Sequence, residues 1–519
     1  MTSAYRDVFR QWGAPLETMA VEFVDGKMFR RLVPIVGANR SAPPPPKPLV
    51  WVAARLHPEF RRREKAAARA LRDRPDQVAI DGWATNERNS WIARNRALQA
   101  LDPSVLDDAA LAGHVDALEA HLVAGWLRHH TLHGSDLGSI GDLLAHGVRW
   151  GLDPVAVMGL LRGASPATCE GRSFGRRIAA ALRTDGIDPE TISDLDIVRG
   201  APTAAPILEE YLDLFGWRVV TSYDLEGLTT GELPSATSAL IRASAAGAED
   251  HDATTEDPSA LRAIVPAADR VLFDDLLGKA RRAYGVRDDN GPLTAEWPIG
   301  LMRRAYLEAG RRLVEAQRLT APEHVFELDS PEVAAVLRSA GAAPSAEEAS
   351  QRAANRTAQA QLVPPAYLGP PLPDPDPSPL PPSMRRVMEI ILAAVSNLEV
   401  DQAAGGADLT GLGIGRHSHR AVARVAVDPD AVLQTMQPGD VLVATWTAPS
   451  YNAVLAIAGA VVVQEGGLLC HAAVMARELG IPAVIGCRGA MTLICDGDVV
   501  EVDPAAGEVR IIERAGSPS

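Results

Sequence analysis

The stretch PPAYLGPPLPDPDPSPLPP, residues 364–382, constrains this chain more than any other, because ten of its nineteen residues are proline. Proline lacks a backbone N–H and fixes φ, so such a stretch cannot pack as a helix or a central strand and favours an extended polyproline form. The sequence therefore predicts a linker over residues 364–383. This linker separates a large domain at 1–363 from a smaller one at 401–519.

A short helix is predicted between the linker and the smaller domain. The stretch MRRVMEIILAAVSNLE has apolar residues at helical spacing, which predicts an amphipathic linker helix at 384–400. A stiff linker followed by a helical arm suits a domain that has to reach two distant sites. A passive tether fits the same composition.

The large domain is predicted to be mainly α-helical and to begin with a β-hairpin. In VEFVDGKMFRRLVPIV, two strand-like runs flank Asp25 and Gly26, a pair typical of tight hairpin turns. Beyond it, apolar residues recur at helical spacing in long stretches. These are ALAGHVDALEAHLVAGWLRHHTLHG, GSIGDLLAHGVRWGL, AAPILEEYLDLFG and GLMRRAYLEAGRRLVEAQRL.

Composition and charge argue against several classes of protein. The net charge of −15 disfavours nonspecific binding to nucleic acid, and the basic run at 61–74 is interspersed with alanine, as on a solvated helix face. No apolar run approaches the ~20 residues of a membrane helix, and the N-terminus lacks the hydrophobic core of a signal peptide. Four cysteines without metal-site spacing fit a reducing compartment. We therefore expect a cytoplasmic protein that binds neither membranes nor nucleic acid.

The stretch QEGGLLCHAAVMARELGIPAVIG carries the strongest functional signal. Gly466 and Gly467 permit a sharp turn, and a helix is expected to run from His471 until Gly480 ends it. A histidine at a helix N-terminus meets unpaired N–H groups and the positive end of the helix dipole, which attract an anion such as phosphate and favour a neutral ring. Taken alone, such a histidine is as compatible with a helix cap or a surface position as it is with a functional role.

The same stretch resembles the phosphohistidine signature of the phosphoenolpyruvate-utilising enzymes. The similarity extends through PGDVLVATWTAPSYNAVLAIAGAVVVQEGG and DGDVVEVDPAAGEVRI, and it covers residues 405–512. It implies an α/β swivelling domain in which His471 is the catalytic residue and carries a phosphoryl group between two active sites. It also implies a supporting role around the phosphate for Gly466, Gly467, Cys470 and Thr447.

Other features refine this resemblance. Leu469 stands where many family members have threonine or serine, which points to the rifampin phosphotransferase branch. No ATP-grasp domain, phosphoenolpyruvate-binding barrel or Walker-type loop is recognisable, and phenylphosphate synthase divides its functions among subunits in this way. In GIGRHSHRAVARV, His417 and His419 are expected to be surface residues rather than metal ligands.

The resemblance implies a phosphotransferase that works as one subunit of a complex. A separate ATP-grasp protein would hold ATP and Mg²⁺ and phosphorylate His471, releasing AMP and phosphate. His471 would then pass the group to the hydroxyl of a small acceptor. Apolar helices with Trp126, Trp150 and Trp217 favour a phenol or another apolar alcohol. No cofactor or metal is expected on this chain. Phosphoenolpyruvate as the donor, a rifamycin-like acceptor, and a non-catalytic regulatory or phosphocarrier protein are the alternatives.

The segments FGWRVVTSYDLEGLTTGELP, LMRRAYLEAGRRLVEAQRLTAPEHVFEL and VPPAYLG are similar to the acceptor-binding domain of the rifampin branch, which would place that domain at 10–370. Three groups of residues are candidates for binding the acceptor. They are Arg218 with Tyr223 and Asp224, His129 with His133, and Arg287 with Asp288. The alternatives are an internal salt bridge for the first group, a core or metal-binding histidine pair for the second, and an ordinary turn for the third.

Overall fold

A computed structural model gives the fold of the chain. It describes residues 2–35, 46–245, 257–338, 344–362, 365, 368–369, 375–395, 409–426, 432, 435–447 and 451–516. The chain divides into two compact units, Met1–Gly141 with Asn290–Leu392 and Asp142–Asp289 with Ala393–Ser519. Part of the predicted linker and the end of the predicted linker helix lie outside the described residues. The predicted domain boundaries therefore stay a prediction.

Most of the described chain is helical, as predicted. The helices are α1 (Thr2–Trp12), α2 (Lys47–Leu56), α3 (Pro58–Asp73), α4 (Pro75–Gly82), α5 (Arg88–Gln99), α6 (Asp108–Arg149), α7 (Pro154–Gly159), α8 (Pro166–Thr184), α9 (Leu195–Arg199), α10 (Ala205–Phe215), α11 (Pro234–Ala245), α12 (Ser259–Ile264), α13 (Arg270–Gly291), α14 (Trp297–Glu315), α15 (Ser330–Leu337), α16 (Ala346–Ala360), α17 (Pro382–Val395), α18 (Asn452–Ile457), α19 (His471–Leu479) and α20 (Ala490–Leu493). Within the described part of the chain, none of these helices is long and apolar enough to cross a bilayer.

The first unit opens with the predicted hairpin. Strands β1 (Leu16–Val24) and β2 (Lys27–Pro34) pair in antiparallel orientation. Asp25 and Gly26 between them have φ of 48° and 73°. Two successive positive φ values are the mark of a type I′ turn, whose twist matches that of the flanking strands.

Helix α6 joins two stretches that the sequence pattern presents separately, and it is 42 residues long. Glycine lets α1 lie close against it. A Cβ at Gly134 would be 2.6 Å from the Val8 side chain, and a Cβ at Gly138 would be 2.3 Å from the Trp12 ring. The two glycines are four residues apart, as are their partners, so each helix presents one face to the other.

The second unit contains a seven-stranded sheet. Its strands are β3 (Leu412–Ile414), β4 (His419–Ala426), β5 (Val441–Ala444), β6 (Ala460–Val463), β7 (Ala483–Ile485), β8 (Val499–Asp503) and β9 (Glu508–Glu513). Their spatial order is β3-β7-β6-β5-β4-β8-β9. The pairs β4–β5, β5–β6 and β6–β7 are parallel. The pairs β3–β7, β4–β8 and β8–β9 are antiparallel. A sheet with α19 packed beside it confirms the predicted α/β class of the C-terminal domain.

Both faces of the central strands are covered, which explains why their sequences are continuously apolar. On one face, Val461 and Val463 pack with apolar residues of α18 and α19, and also with Ala239 and Ala243 of α11. On the other face, Val462 packs in a cluster that includes residues of β8 and β9. The alternation follows from the two-residue period of a strand.

A pair of glycines on α13 tests the close packing inside the second unit. A Cβ at Gly285 would lie 2.5 Å from the carbonyl oxygen of Ala164. We expect Gly285→Ala to destabilise the chain by about 1–3 kcal/mol, because backbone has to move. A Cβ at Gly278 would meet no atom within 4 Å, so Gly278→Ala should instead stabilise the helix by up to about 1 kcal/mol. Thermal unfolding of both variants measures this difference, and equal shifts would contradict it.

Candidate functional site

The candidate site lies at the carboxyl ends of two neighbouring parallel strands. Thr447 follows β5 by three residues, and His471 begins α19 after the loop that leaves β6. Because β5 and β6 pair in parallel, these two exits lie at the same edge of the sheet. Ligand sites in open α/β sheets form at this edge.

The turn before His471 depends on glycine. Gly466 has φ of 129°, and a Cβ there would lie 2.8 Å from the sulfur of Cys470. The N–H of Cys470 then donates to the carbonyl oxygen of Gly467 over 3.0 Å, which closes the turn. Helix α19 starts at His471 and ends at Gly480, whose φ is 69°. These bounds are the predicted ones.

Both ring nitrogens of His471 have hydrogen-bond partners. Nδ1 is 3.0 Å from the hydroxyl of the buried Thr447, and Nε2 is 2.9 Å from Oδ1 of Asn452, the first residue of α18. A neutral imidazole carries one N–H and one lone pair. The two contacts therefore orient the ring, and the partners determine which ring nitrogen carries the proton.

Burial determines the charge of the ring. It lowers the pKa of His471 to about 3. The ring is therefore neutral near pH 7, with one nitrogen lone pair available as a nucleophile. The position at the N-terminus of α19 acts in the same direction, since a cation is disfavoured there.

Cys470 contributes no charge to the site near pH 7. Burial raises the pKa of its thiol, so the group stays protonated. A thiol of this kind is a small apolar neighbour and not a second nucleophile. Its predicted supporting role around the phosphate stays a prediction, as do those of Gly466, Gly467 and Thr447.

Two arginines hold the loop that precedes His471. Arg477 of α19 is buried and donates from Nη1 to the carbonyl oxygen of Leu468 over 2.7 Å. Arg287 of α13 donates from Nη2 to the carbonyl oxygen of Leu469 over 3.4 Å. Arg477 lies six positions after His471, so on a helix it faces away from that residue, which predicts a surface or interdomain role. Its burial shows that the surface interpretation is wrong.

Glu478 is a buried carboxyl group where α19 meets the helices of the second unit. Its Oε2 accepts from the N–H of Gly163 over 3.2 Å, and Oε1 has no hydrogen-bond partner among the described residues. Burial and, after it, the charge of Asp288 raise the pKa of Glu478 to about 7. The carboxyl is thus poised between its two protonation states under ordinary conditions.

Further polar contacts join the same surfaces within this unit. Cys169 of α8 donates through sulfur to the carbonyl oxygen of Glu478 over 3.8 Å. Arg172, also of α8, donates to the carbonyl oxygen of Ala456 over 3.0 Å. Helices α18 and α19 therefore rest on α8 through backbone carbonyl groups.

The three predicted groups of acceptor residues lie on different elements of the chain. Arg287 and Asp288 lie on α13, beside the His471 loop and Glu478. Arg218 is buried with its guanidinium over the ring of Phe215, and Tyr223 and Asp224 are exposed in a turn. An acceptor-binding role for any of these residues stays a prediction.

The predicted histidine pair belongs to the first unit. Nδ1 of His129 is 2.6 Å from Oδ1 of Asn290, and the rings of His129 and His133 are perpendicular with centroids 4.3 Å apart. In the described part of the chain, no group of three or more His, Cys, Asp or Glu side chains is placed to hold a metal ion. His417 is exposed, and Nε2 of His419 is 2.7 Å from the carbonyl oxygen of Gly439.

Sequence reasoning missed two residues of the site, Asn452 and Glu478. Asn452 lies in YNAVLAI, which has no pattern beyond an ordinary helix start, and its partner is 19 residues away. Glu478 lies in the recognised stretch, but its burial depends on α13 and on the loop between α7 and α8. Neither environment can be read from local spacing.

The comparisons with known proteins agree with this geometry. Residues 436–507 match the family model for the mobile domain of PEP-utilising enzymes. The chain is 29% identical over 388 residues to chondramide synthase cmdD of Chondromyces crocatus. This alignment covers 69% of the chain and 10% of that protein. The chain is 48% identical over 80 residues to phosphoenolpyruvate synthase of Pseudomonas aeruginosa, which covers 15% of this chain and 10% of the synthase. It is 39% identical over 104 residues to the uncharacterized phosphotransferase YvkC of Bacillus subtilis, which covers 20% of this chain and 12% of that protein.

The chain spans only 10% to 12% of the length of these three relatives. The matched residues contain β5 to β8 and His471, so the C-terminal part is a phosphotransferase-like mobile domain. Over these residues the chain is similar to the PEP-utilising enzymes. Its assignment to the rifampin or phenylphosphate branch stays a prediction.

Glu478→Gln should stabilise the chain more above neutral pH than in mild acid. The pKa of Glu478 is raised from 4.5 to about 7 in the folded chain. Its contribution to stability is therefore fully present below pH 4.5 and is lost as the pH rises through 7, where the buried group ionises. Glutamine cannot ionise, so the gain in melting temperature should be larger at about pH 8 than at about pH 5.

The exposed Glu190, in the same unit, provides the control. Glu190→Gln removes one carboxylate from the surface, and its effect on the melting temperature should be small at both pH values. A gain for Glu478→Gln that does not change with pH would contradict the ionisation of a buried carboxyl.

Proposed function

We propose that this chain is a phosphotransferase in which His471 takes a phosphoryl group from a nucleotide-binding protein and passes it to the hydroxyl of a small organic acceptor. The observation that carries the proposal is the His471 ring. It is neutral, it starts a helix, and both of its nitrogens are held in place. A nucleophile that must form a bond to phosphorus needs this combination of a neutral ring and a fixed orientation.

The first step charges the histidine. A ring nitrogen attacks the phosphorus, an N–P bond forms, and the P–O bond to the leaving group breaks with its electron pair on the oxygen. The family resemblance supports ATP with Mg²⁺ on a separate ATP-grasp protein as the donor. Attack on the β-phosphorus breaks the P–O bond to AMP. Water then attacks the γ-phosphorus and breaks its P–O bond to the β-phosphoryl group, which releases phosphate and leaves one phosphoryl group on His471. Backbone N–H groups at the start of α19 and the Thr447 hydroxyl are the donors available to the phosphoryl oxygens.

The second step transfers the group to the acceptor. The acceptor hydroxyl attacks phosphorus, an O–P bond forms, the N–P bond breaks, and the electron pair returns to the ring. A base takes the hydroxyl proton. Arg287 and Asp288 are the predicted acceptor residues that lie beside the His471 loop. A guanidinium can bind the phosphoryl oxygens, and a carboxylate can accept the proton.

A phenol or another apolar alcohol is the acceptor we propose. A phenolic hydroxyl has a pKa near 10, far below that of an aliphatic alcohol, so a positioned base removes its proton more readily. Trp150 and several buried apolar residues lie in the same unit as His471. A rifamycin-like acceptor is the alternative, supported by the buried apolar Leu469.

His471→Ala should abolish phosphorylation of the chain. Potassium phosphoramidate phosphorylates histidine directly and replaces the unidentified donor protein in this experiment. The wild-type chain should gain an acid-labile, base-stable phosphate on His471, detected by mass spectrometry of its peptides. His417→Ala should retain this label, since the exposed ring is remote in sequence and lies in a different loop. Label that persists on the chain of the His471 variant at the wild-type level would refute the assignment.

The charged chain should lose its phosphoryl group faster to a phenol than to other acceptors. Phosphorylated wild-type chain is mixed separately with phenol, an aliphatic alcohol, a rifamycin and pyruvate, and the products are identified by mass spectrometry. Phosphorylation of pyruvate or the rifamycin with phenol untouched would overturn the acceptor but not the role of His471. Discharge to none of them would favour a phosphocarrier or regulatory protein.

ATP alone should not be consumed by the chain. In the proposed division of labour, the nucleotide binds to the partner protein, so purified chain with ATP and Mg²⁺ should release no phosphate. Hydrolysis at a rate typical of enzymes, ~1 per second or faster, would contradict the separate donor protein. The measurement is phosphate release with the His471→Ala variant as the control.

A further inference from the structure

Asn452 makes a contact with His471 that orients the ring but has no part in the two proposed transfer steps. Its Oδ1 lies 2.9 Å from Nε2, on the opposite side of the ring from Thr447, whose hydroxyl is 3.0 Å from Nδ1. With Oδ1 in this position, the amide oxygen can only accept, so the proton of the neutral ring is on Nε2. In this tautomer the lone pair is on Nδ1.

Nδ1 is the less accessible nitrogen for a phosphoryl group. It is bonded to the ring carbon that carries the side chain, so it lies near the backbone at the start of α19, and Thr447 at its far side is buried. Nε2 points away from that backbone. Phosphorylation at Nε2 requires the lone pair there and the proton on Nδ1, which then donates to the Thr447 hydroxyl.

The carboxamide of Asn452 can serve both tautomers. As described, Oδ1 accepts from Nε2–H. After rotation of the amide by half a turn, Nδ2 donates to the lone pair of Nε2, and it can later donate to an oxygen of the bound phosphoryl group. A carboxylate of the same shape can only accept.

We propose that Asn452 is a positioning residue that selects Nε2 of His471 as the phosphorylated nitrogen, through an amide that turns from acceptor to donor. This inference rests on the proposed function. In the step itself, the Nε2 lone pair forms the N–P bond, the P–O bond to the donor breaks with its electron pair on oxygen, and the ring keeps the Nδ1 proton. The amide N–H of Asn452 stabilises the product and is not itself changed.

The test compares substitutions that keep or remove the donor. Asn452→Asp retains the shape, holds the proton on Nε2 and places a negative charge beside the incoming phosphoryl group. Asn452→Ser is smaller, but its hydroxyl can donate as well as accept. We expect Asn452→Asp to slow phosphorylation by phosphoramidate by about tenfold or more, and Asn452→Ser to retain more of the rate, since only serine keeps a hydrogen-bond donor for the charged phosphoryl group.

Asn95→Asp is the matched control. Oδ1 of Asn95 lies 2.7 Å from Nε2 of His121 in the first unit, so the same substitution is made beside another histidine with a lowered pKa. This variant should phosphorylate His471 at the wild-type rate. Melting temperatures of all variants show whether each chain is folded at the assay temperature.

The phosphohistidine isomer separates a positioning role from a structural one. ³¹P and ¹⁵N NMR of the full chain distinguish phosphate on Nε2 from phosphate on Nδ1. We expect the Nε2 isomer in the wild-type chain and a shift toward Nδ1 in Asn452→Asp. A structural role would lower the yield without changing the isomer.

The outcomes of this experiment are distinct. Equal rates and the same isomer in wild type, Asn452→Asp and Asn452→Ser would overturn the inference and leave the proposed function intact. An Nδ1 isomer in the wild-type chain would also overturn it. Absence of any label on wild-type His471 would overturn the proposed function together with this inference.

Discussion

The parallel pairing of β5 with β6 is the constraint on which the site depends. It brings the exits of two strands to one edge of the sheet, so that Thr447 and His471, 24 residues apart in the chain, lie within a hydrogen bond of each other. The pairing is stabilised by complete burial of both strands, whose alternating residues face α18 and α19 on one side and the cluster with β8 and β9 on the other. A change of register by one residue would exchange these faces and move both exits.

The surroundings of the ring combine a lack of charge with a fixed geometry. Burial keeps His471 neutral, and the thiol of Cys470 stays protonated for the same reason. The arginines near the loop donate to carbonyl groups of Leu468 and Leu469. A phosphoryl group placed on this ring would therefore meet N–H groups of the helix start, which favour an anion.

The contact between the mobile domain and the helices of its own unit has a different character. Small residues and backbone carbonyl groups form much of it, including Ala239, Ala243 and the carbonyl oxygens that accept from Cys169 and Arg172. Glu478 lies within this contact with one oxygen unpaired among the described residues. A buried carboxyl without a full set of partners reduces the stability of the contact.

Elements with local signals can be predicted from the order of the residues alone. Asp25 and Gly26 specify the hairpin turn, and Gly466, Gly480 and the residues between them specify the bounds of α19 and the position of His471 at its start. Backbone preferences of single residues decide these features, so they can be read without any partner. Other features depend on contacts between distant parts of the fold. The pairing of Asn452 with Nε2, the burial of Arg477 and the raised pKa of Glu478 each depend on residues that are distant in the chain or on a neighbouring helix. Desolvation and hydrogen bonding act through space, and a linear pattern does not record which groups the fold brings together.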